Sequence, residues 1–121
     1  MRLWHQAIIS KLPRQQLLGQ HRECAALRGR GWGKPHATVN YVFDHNPYKL
    51  YQYHVLIMDE MVARGYQPDR AWYDPAYRGK TATPHAQVDP TEQTSPIYTE
   101  HDEAYLFDCL DNLREKGIEL E

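Results

Sequence analysis

The stretch NPYKLYQYHVLIMDEMVARG, residues 46–65, carries the clearest structural signal in this 121-residue chain. Asn46 is a good helix N-cap, and Pro47 suits the first helical position because an N–H there would lack an intrahelical partner anyway. Apolar side chains then recur at i, i+4, i+7 and i+11, the period of one helix face: Tyr51, Val55, Met58 and Val62. Gly65 after Arg64 is a typical helix stop. The pattern therefore predicts a helix from residue 47 to residue 64.

A second helix is predicted upstream, in LPRQQLLGQHRECAALRG, residues 12–29. It should begin at Pro13 and end near Leu27 or Arg28, with Gly29 as its stop. Its buried stripe at helical spacing is predicted as Leu17, Leu18, His21, Cys24 and Ala25. Gln16, Gln20, Glu23 and Leu27 fall on a neighbouring face, so Glu23 lies beside the buried stripe and not opposite it.

A third helix is predicted in TEHDEAYLFDCLDNLREKG, residues 99–117. Thr99 followed three residues later by Asp102 reads as a variant capping box, and Gly117 marks the end. Leu106, Leu110 and Leu113, with Phe107 beside them, form the predicted apolar face.

The remaining segments favour irregular structure. RGRGWGKPH, residues 28–36, holds three glycines and a proline, and residues 66–96 hold five prolines, so both are predicted as loops. HATVNYVF, residues 36–43, alternates like a strand but has no second strand to pair with, and we expect an extended packing segment. The chain is therefore predicted to be all-α: one compact domain, residues 1–121, with three main helices and long irregular loops.

Composition indicates a globular protein, with 41% hydrophobic and 25% charged residues. The longest aliphatic run, Val55 to Met58, is far too short for a membrane span, and no signal peptide is recognisable at the start. The two cysteines, Cys24 and Cys109, fall in predicted helices, where reduced core thiols are expected. These features predict a cytoplasmic protein without a membrane partner, and we expect a monomer.

Charge is distributed unevenly along the chain. Residues 1–36 hold seven basic side chains against Glu23 alone, whereas residues 37–121 hold seven basic and fifteen acidic ones, so the formal net charge of -2 hides a basic first third. Such asymmetry indicates a polyanion-binding face. The alternative is that the basic part pairs with the acidic part inside the fold.

The sequence offers one candidate for acid–base chemistry and little else. None of the seven histidines has a metal-binding spacing, and no G-x-S-x-G nucleophile motif or phosphate-loop spacing is present, so no metal or cofactor is expected. Glu23 stands next to Arg22 in a basic neighbourhood. Nearby cations should lower its pKa and keep it ionised, ready to stabilise a developing cation or to move protons. The alternative is a helix charge without chemistry.

Three segments resemble the pyrimidine-dimer DNA glycosylases of the phage endonuclease V type. LPRQQLLGQHRECAALR, residues 12–28, is similar to that family's first helix with its Arg-Glu pair, matched here by Arg22 and Glu23. HATVNYVF resembles the family's Gly-His-Val-Thr segment, and residues 50–66 resemble its second long helix. The resemblance implies an all-helical domain that removes a damaged base from double-stranded DNA and then cleaves the strand at the abasic site.

The resemblance also implies the site residues. The family's nucleophile is the N-terminal α-amine, here that of Met1, because the bulk of Arg2 should block removal of the initiator methionine. Glu23 would act as acid and base. The DNA-binding cations implied by the match and by the basic segment are Arg2, Arg14, Arg22, Arg28, Arg30 and Lys34. The family's aromatic C-terminal tail has no counterpart in KGIELE, residues 116–121.

Two other functions remain open from the sequence alone. One is a non-catalytic nucleic-acid-binding domain of the same fold, which would keep the basic face without forming a covalent adduct. The other is a small metal-dependent hydrolase, which would need stoichiometric metal.

Overall fold

The computed structural model of the protein describes residues 2–35 and 38–120. Its three α-helices are α1, Arg14–Arg28; α2, Pro47–Ala63; and α3, Glu103–Glu115. Three short 3₁₀ helices lie between and before them: Gln6–Lys11, Asn40–Asp44 and Arg70–Tyr73. No β-strand occurs in these described ranges. The prediction of an all-α fold with three main helices is confirmed.

Helix α2 begins as predicted, since the side chain of Asn46 accepts a hydrogen bond from the Tyr48 amide. Of its predicted apolar face, Met58 is buried, Tyr51 and Val55 are half-buried, and the rest of the prediction is wrong. The buried apolar positions recur at i, i+3, i+7, i+8 and i+11: Leu50, Tyr53, Ile57, Met58 and Met61. Val62 is 54% exposed. Apolar side chains occur on both sides of this helix, so periodicity alone does not identify the buried side. Packing against α1 and Gln6–Lys11 determines which side is buried.

Helix α1 begins one residue later than predicted, with Pro13 as its N-cap, and it ends at Arg28 before Gly29, as predicted. Its buried face is rotated from the predicted one and consists of Leu17, Gln20, Cys24, Leu27 and Arg28. Leu18, His21 and Ala25 are only half-buried. The polar Gln20 and Arg28 are buried because each finds several hydrogen-bond partners inside the fold, which a hydropathy pattern does not reveal.

Helix α3 begins later than predicted. Asp102, not Thr99, is the N-cap, and its side chain accepts from the Tyr105 amide across 2.9 Å. The buried residues are Cys109 and Leu113, whereas Phe107 is 54% exposed.

The expectation of an extended segment before α2 is also wrong. Residues Asn40–Asp44 form a 3₁₀ helix that buries Val42, with Val39 buried three residues earlier. A spacing of three residues places side chains on one side of a 3₁₀ helix, so Val39 and Val42 are buried together without an extended strand. Residues 36 and 37 of the predicted segment lie outside the described residues.

The long proline-containing loop, residues 66–96, is irregular apart from Arg70–Tyr73, as predicted. It crosses the C-terminal end of α1, where Arg78 donates to the carbonyl oxygens of Arg28 and Gly29. A Cβ on Gly29 would lie 2.9 Å from the Arg78 carbonyl oxygen, so this close approach requires glycine.

The two cysteines are buried and unbridged, as expected. Across residues 2–35 and 38–120, every helix is too short or too polar to cross a bilayer.

Candidate functional site

The backbone of residues 2–4 is held by a side chain of α1. The Gln20 amide nitrogen donates to the Arg2 carbonyl oxygen across 2.9 Å, and its Oε1 accepts from the Trp4 amide across 2.6 Å. Gln20 is fully buried. One side chain therefore ties both ends of this short segment to α1.

Tyrosines from the other two helices hold the same segment. The Tyr53 hydroxyl of α2 lies 2.6 Å from the Trp4 carbonyl oxygen and 2.9 Å from Gln20 Oε1. The Tyr105 hydroxyl of α3 donates to the Leu3 carbonyl oxygen. All three helices thus converge on the first residues of the described chain, which the sequence patterns did not indicate.

A cleft of about 270 Å³ opens beside this segment. It is lined by side chains from the N-terminal segment, α1, the residues before Asn40–Asp44, and the end of α3: Arg2, Trp4, Glu23, Thr38, Asn112 and Lys116. The structure therefore brings the predicted residues Arg2 and Glu23 to one cavity.

Glu23 is half-buried in this cleft, and burial raises its pKa above the ordinary 4.5. Neighbouring cations, Lys116 and Arg22 among them, act in the opposite direction but do not outweigh the loss of solvent. The cations do act in the expected direction, but the expectation that the pKa of Glu23 lies below its ordinary value is wrong. A carboxyl group with a raised pKa is better matched to proton transfer near neutral pH than an ordinary glutamate.

Two cations flank the indole of Trp4 at the cleft. The Arg2 guanidinium carbon lies 6.0 Å from the Trp4 ring and 5.8 Å from the Tyr105 ring. Lys116 Nζ lies 5.3 Å from the Trp4 ring. Lys116 was missed by sequence reasoning because it lies in the acidic part of the chain, and only its position after α3 brings it to the cleft.

The other predicted DNA-binding cations divide into two groups. Arg14, Arg22, Arg30 and Lys34 are exposed. Of these, Arg14 lies 6.0 Å from the Tyr66 ring, on the opposite side of α1 from Glu23, and Arg30 donates to the Thr81 carbonyl oxygen. Met1, the predicted nucleophile, lies outside the described residues.

Arg28 does not join the exposed group. It is 5% exposed, and its guanidinium donates to His54 and to the carbonyl oxygens of Trp72 and Asp74. The Tyr51 and Trp72 rings lie 5.2 and 5.0 Å from its guanidinium carbon. The interpretation of Arg28 as a phosphate-reaching arm is corrected: this cation holds the long loop against α1 and α2.

The described ion pairs do not join the basic and acidic parts of the chain. They link His45 with Glu100, Arg64 with Glu60, and Arg114 with Asp111. Among described residues, none uses a cation from positions 2–35. These ion pairs therefore do not support the alternative that the basic residues 2–35 pair with acidic residues of the second part of the chain.

No three metal-binding side chains come together within the described part of the chain. A larger hollow of about 780 Å³ lies at the end of α2, between Asp59, Tyr66 and Arg70. It contains neither Glu23 nor the N-terminal segment, so the smaller cleft is the better candidate for chemistry.

A family model described as "Pyrimidine dimer DNA glycosylase" matches residues 1–74. The matched range contains the N-terminal segment, α1 with Glu23, and α2, but not α3. No curated protein and no solved structure matches this chain.

Proposed function

The chain belongs to the pyrimidine dimer DNA glycosylase family, and on that basis we propose that it excises a damaged base from double-stranded DNA and cleaves the resulting abasic strand. In this proposal the α-amine of Met1 is the nucleophile and Glu23 the acid and base. Because Tyr105 and Lys116 of the C-terminal part complete the same site, the proposal treats residues 1–121 as one catalytic domain.

The observation that carries the proposal is the fixed position of residues 2–4 beside Glu23. Arg2 and Glu23 line one cleft, and the backbone of Arg2 is hydrogen-bonded to α1. Consecutive Cα atoms are about 3.8 Å apart across a trans peptide. In this proposal the α-amine, one peptide bond before Arg2, would reach the cleft that holds the Glu23 carboxyl group.

The chemistry suits an α-amine. Its ordinary pKa of about 7.7–8.0, against about 10.4 for lysine, leaves a useful neutral fraction near pH 7. The amine nitrogen bonds to the sugar C1′ while the C1′–N bond to the damaged base breaks, and the base leaves with the bonding electrons and gains a proton. Sugar ring opening then gives an imine, a covalent intermediate that divides one difficult step into two.

Strand cleavage follows from the imine. Loss of a proton from C2′ expels the 3′ phosphate by β-elimination, and water later hydrolyses the imine to release the amine. Ionised Glu23 would stabilise the positive charge that develops on the sugar as the base leaves, and would then accept and return protons.

The exposed cations supply the expected contacts with DNA. Arg22, Arg30 and Lys34 are exposed and would approach phosphates, with Arg30 also donating to the Thr81 carbonyl oxygen, and Arg14 lies on the opposite side of α1 from Glu23. Phosphate contacts fix the position of a duplex without reading its sequence. Arg2 and Lys116, beside Trp4, would meet the backbone at the lesion itself.

Borohydride trapping on duplex DNA with one abasic site tests the proposal. Borohydride reduces the imine to a stable amine, so a protein that begins at Met1 should form a covalent adduct. One residue added before Met1 converts the amine into a peptide nitrogen and shifts the new amine by up to about 3.3–3.6 Å. Since attack needs atoms about 3–3.5 Å apart, the extended protein should lose trapping.

Equal trapping by the extended and unextended proteins would refute the α-amine mechanism and point to an internal lysine. Lys11, Lys34 and the cleft residue Lys116 are then the side chains to replace. Tight DNA binding with no adduct from either protein would instead support a non-catalytic binding domain.

A further inference from the structure

We propose that Gln20, Tyr53 and Tyr105 are positioning residues that fix the reactive N-terminus relative to Glu23. The inference rests on the proposed function, because it concerns the α-amine named there. None of the three side chains lines the cleft, and each would act through the backbone of residues 2–4.

Gln20 is chemically suited to this task. A side-chain amide carries a donor and an acceptor, and Gln20 uses the first on the Arg2 carbonyl oxygen and the second on the Trp4 amide. The residue is fully buried, so water cannot replace either bond. Its two bonds fix both the position and the direction of the peptide chain that leads to the α-amine.

The same helix carries the acid. Gln20 and Glu23 are three residues apart on α1, a spacing at which side chains are neighbours on the helix surface. The anchor of the nucleophile and the carboxyl group are therefore joined by less than one turn of rigid backbone. The separation between them does not depend on any loop.

The two tyrosines prevent the segment from sliding or lifting away. Tyr53 bonds the carbonyl of Trp4 from α2, and Tyr105 bonds the carbonyl of Leu3 from α3. The Arg2 guanidinium also lies near the Tyr105 ring, 5.8 Å from its centre. Chain termini are usually poorly ordered unless tied down, and ordering them costs conformational entropy. Three separate anchors hold the backbone of residues 2–4, which supports a positioning role for them.

The experiment compares two buried glutamines. Gln20→Met keeps the side-chain length and removes the hydrogen bonds. Gln52→Met removes the hydrogen bond that a buried glutamine of α2 donates to the Thr91 carbonyl oxygen, away from the cleft. Both variants, beginning at Met1, are compared with the unaltered protein in single-turnover trapping on abasic duplex DNA, together with their DNA affinity and melting temperature.

We expect Gln20→Met to trap about 100-fold more slowly at saturating DNA, the cost of misplacing a reacting group by about 1 Å. Its DNA affinity should be unchanged, because no DNA-contacting side chain is altered. Gln52→Met should trap at the rate of the unaltered protein, even if its melting temperature falls by as much as that of Gln20→Met. Hydrogen exchange of the Trp4 amide should be faster in Gln20→Met alone.

If Gln20→Met does not fold, Tyr53→Phe and Tyr105→Phe make the same test with smaller changes. Each removes a hydroxyl that bonds the N-terminal segment, and Tyr51→Phe is the matched control because its hydroxyl donates to the Tyr73 carbonyl oxygen. Slower trapping is expected in the first two and not in the third.

Unchanged trapping rates in Gln20→Met, or in both tyrosine variants, would overturn the inference. An equal loss in Gln52→Met at matched melting temperature would overturn it as well, since stability would then explain the rate. Failure of the unaltered protein to trap defeats the proposed function instead, so the two failures are distinguishable.

Discussion

Nη1 of Arg28 donates to Nδ1 of His54 across 2.9 Å, with both side chains buried. Because a guanidinium can only donate, Nδ1 of His54 accepts and its proton lies on Nε2. That nitrogen is 2.8 Å from Nδ1 of His21, which must accept in turn. Burial, and next the charge of Arg28, hold the pKa of His54 well below its usual value. The hydrogen bonds from Arg28 to His54 and from His54 to His21 are therefore made with a neutral His54 ring.

This network predicts that Arg28 contributes to stability and not to DNA binding. Arg28→Met should lower the free energy of unfolding by about 3 kcal/mol, because the buried Nδ1 of His54 and the part-buried carbonyl oxygens of Trp72 and Asp74 lose their donor. Urea unfolding measures the loss. Arg30→Met, at an exposed site two residues later, should change stability by no more than about 0.5 kcal/mol. Equal effects of the two substitutions would contradict the structural role.

The exposed cations should determine the salt dependence of DNA binding. If Arg22, Arg30 and Lys34 each neutralise one phosphate, replacing any one with Gln should reduce the slope of log K against log salt by about 0.9. The loss should be similar for different DNA sequences, because phosphate contacts carry no base information. Arg70, an exposed cation beside the larger hollow, serves as the control and should leave the slope unchanged. Unaltered slopes in all three test variants would show that the basic segment does not contact the backbone.

Glu23→Gln should preserve DNA affinity and reduce trapping or turnover by about 10²- to 10⁴-fold, the usual range for a lost acid–base group. Glu60→Gln, which removes a carboxylate paired with Arg64 at the far end of α2, should trap and turn over at nearly the rate of the unaltered protein. Near-normal turnover in Glu23→Gln would remove the role assigned to this residue.

The pH dependence provides a separate test of Glu23. Its ionised form is the active one in the proposed mechanism, so activity should fall as pH falls and the carboxylate takes up a proton. Because burial raises its pKa, the midpoint of that fall should lie above 4.5. Protonation of the α-amine also lowers the rate below about pH 7.7–8.0, so the Glu23 step is the further fall that the pH–rate profile of the unaltered protein shows at saturating DNA and that of Glu23→Gln lacks. A midpoint of that further fall at or below 4.5 would contradict the raised pKa.

His101 should make the fold sensitive to mild acid. Burial, followed by the charge of His5, lowers its pKa from 6.5 to about 4. The folded protein holds this ring neutral, with Nδ1 accepting from the Gln6 amide and Nε2 bonded to the Tyr41 hydroxyl. As pH falls, His101 takes up a proton near pH 6.5 in the unfolded chain but only near pH 4 in the folded protein. The stability contributed by the neutral ring is therefore complete above pH 6.5 and is lost as pH falls to about 4.

The expected loss across that interval is about 3 kcal/mol from this ring alone. Unfolding free energies measured between pH 6.5 and pH 4 should fall less steeply in His101→Gln than in the unaltered protein. Parallel curves for the two proteins would show that His101 is not responsible.

The local features of the fold could be read from short segments of sequence. Asn46 and Pro47 begin α2, Gly29 ends α1, and the prolines of residues 66–96 exclude a long helix there. Each of these signals acts through backbone groups within about one turn of the residue that carries it. The adjacent residues Arg22 and Glu23, which carry part of the resemblance to the glycosylase family, also lie within one short segment.

The capping of α3 shows the limit of such reasoning. Thr99 and Asp102 are both good cap residues, and the choice between them depends on where the preceding chain enters the core. Ile97, Tyr98 and His101 are buried, so the chain enters the core before Asp102, which then caps the helix.

The tertiary structure alone decided the site. It placed Lys116 beside Trp4, buried Arg28, and joined the backbone of Leu3 to Tyr105, 102 residues away. It also reversed the expected shift of the Glu23 pKa, because the carboxyl group loses more from burial than it gains from cations. Helix ends are set by bonds between near neighbours, which the sequence displays. Burial and the contacts of Gln20 depend on which distant segments meet, and only the folded chain fixes those.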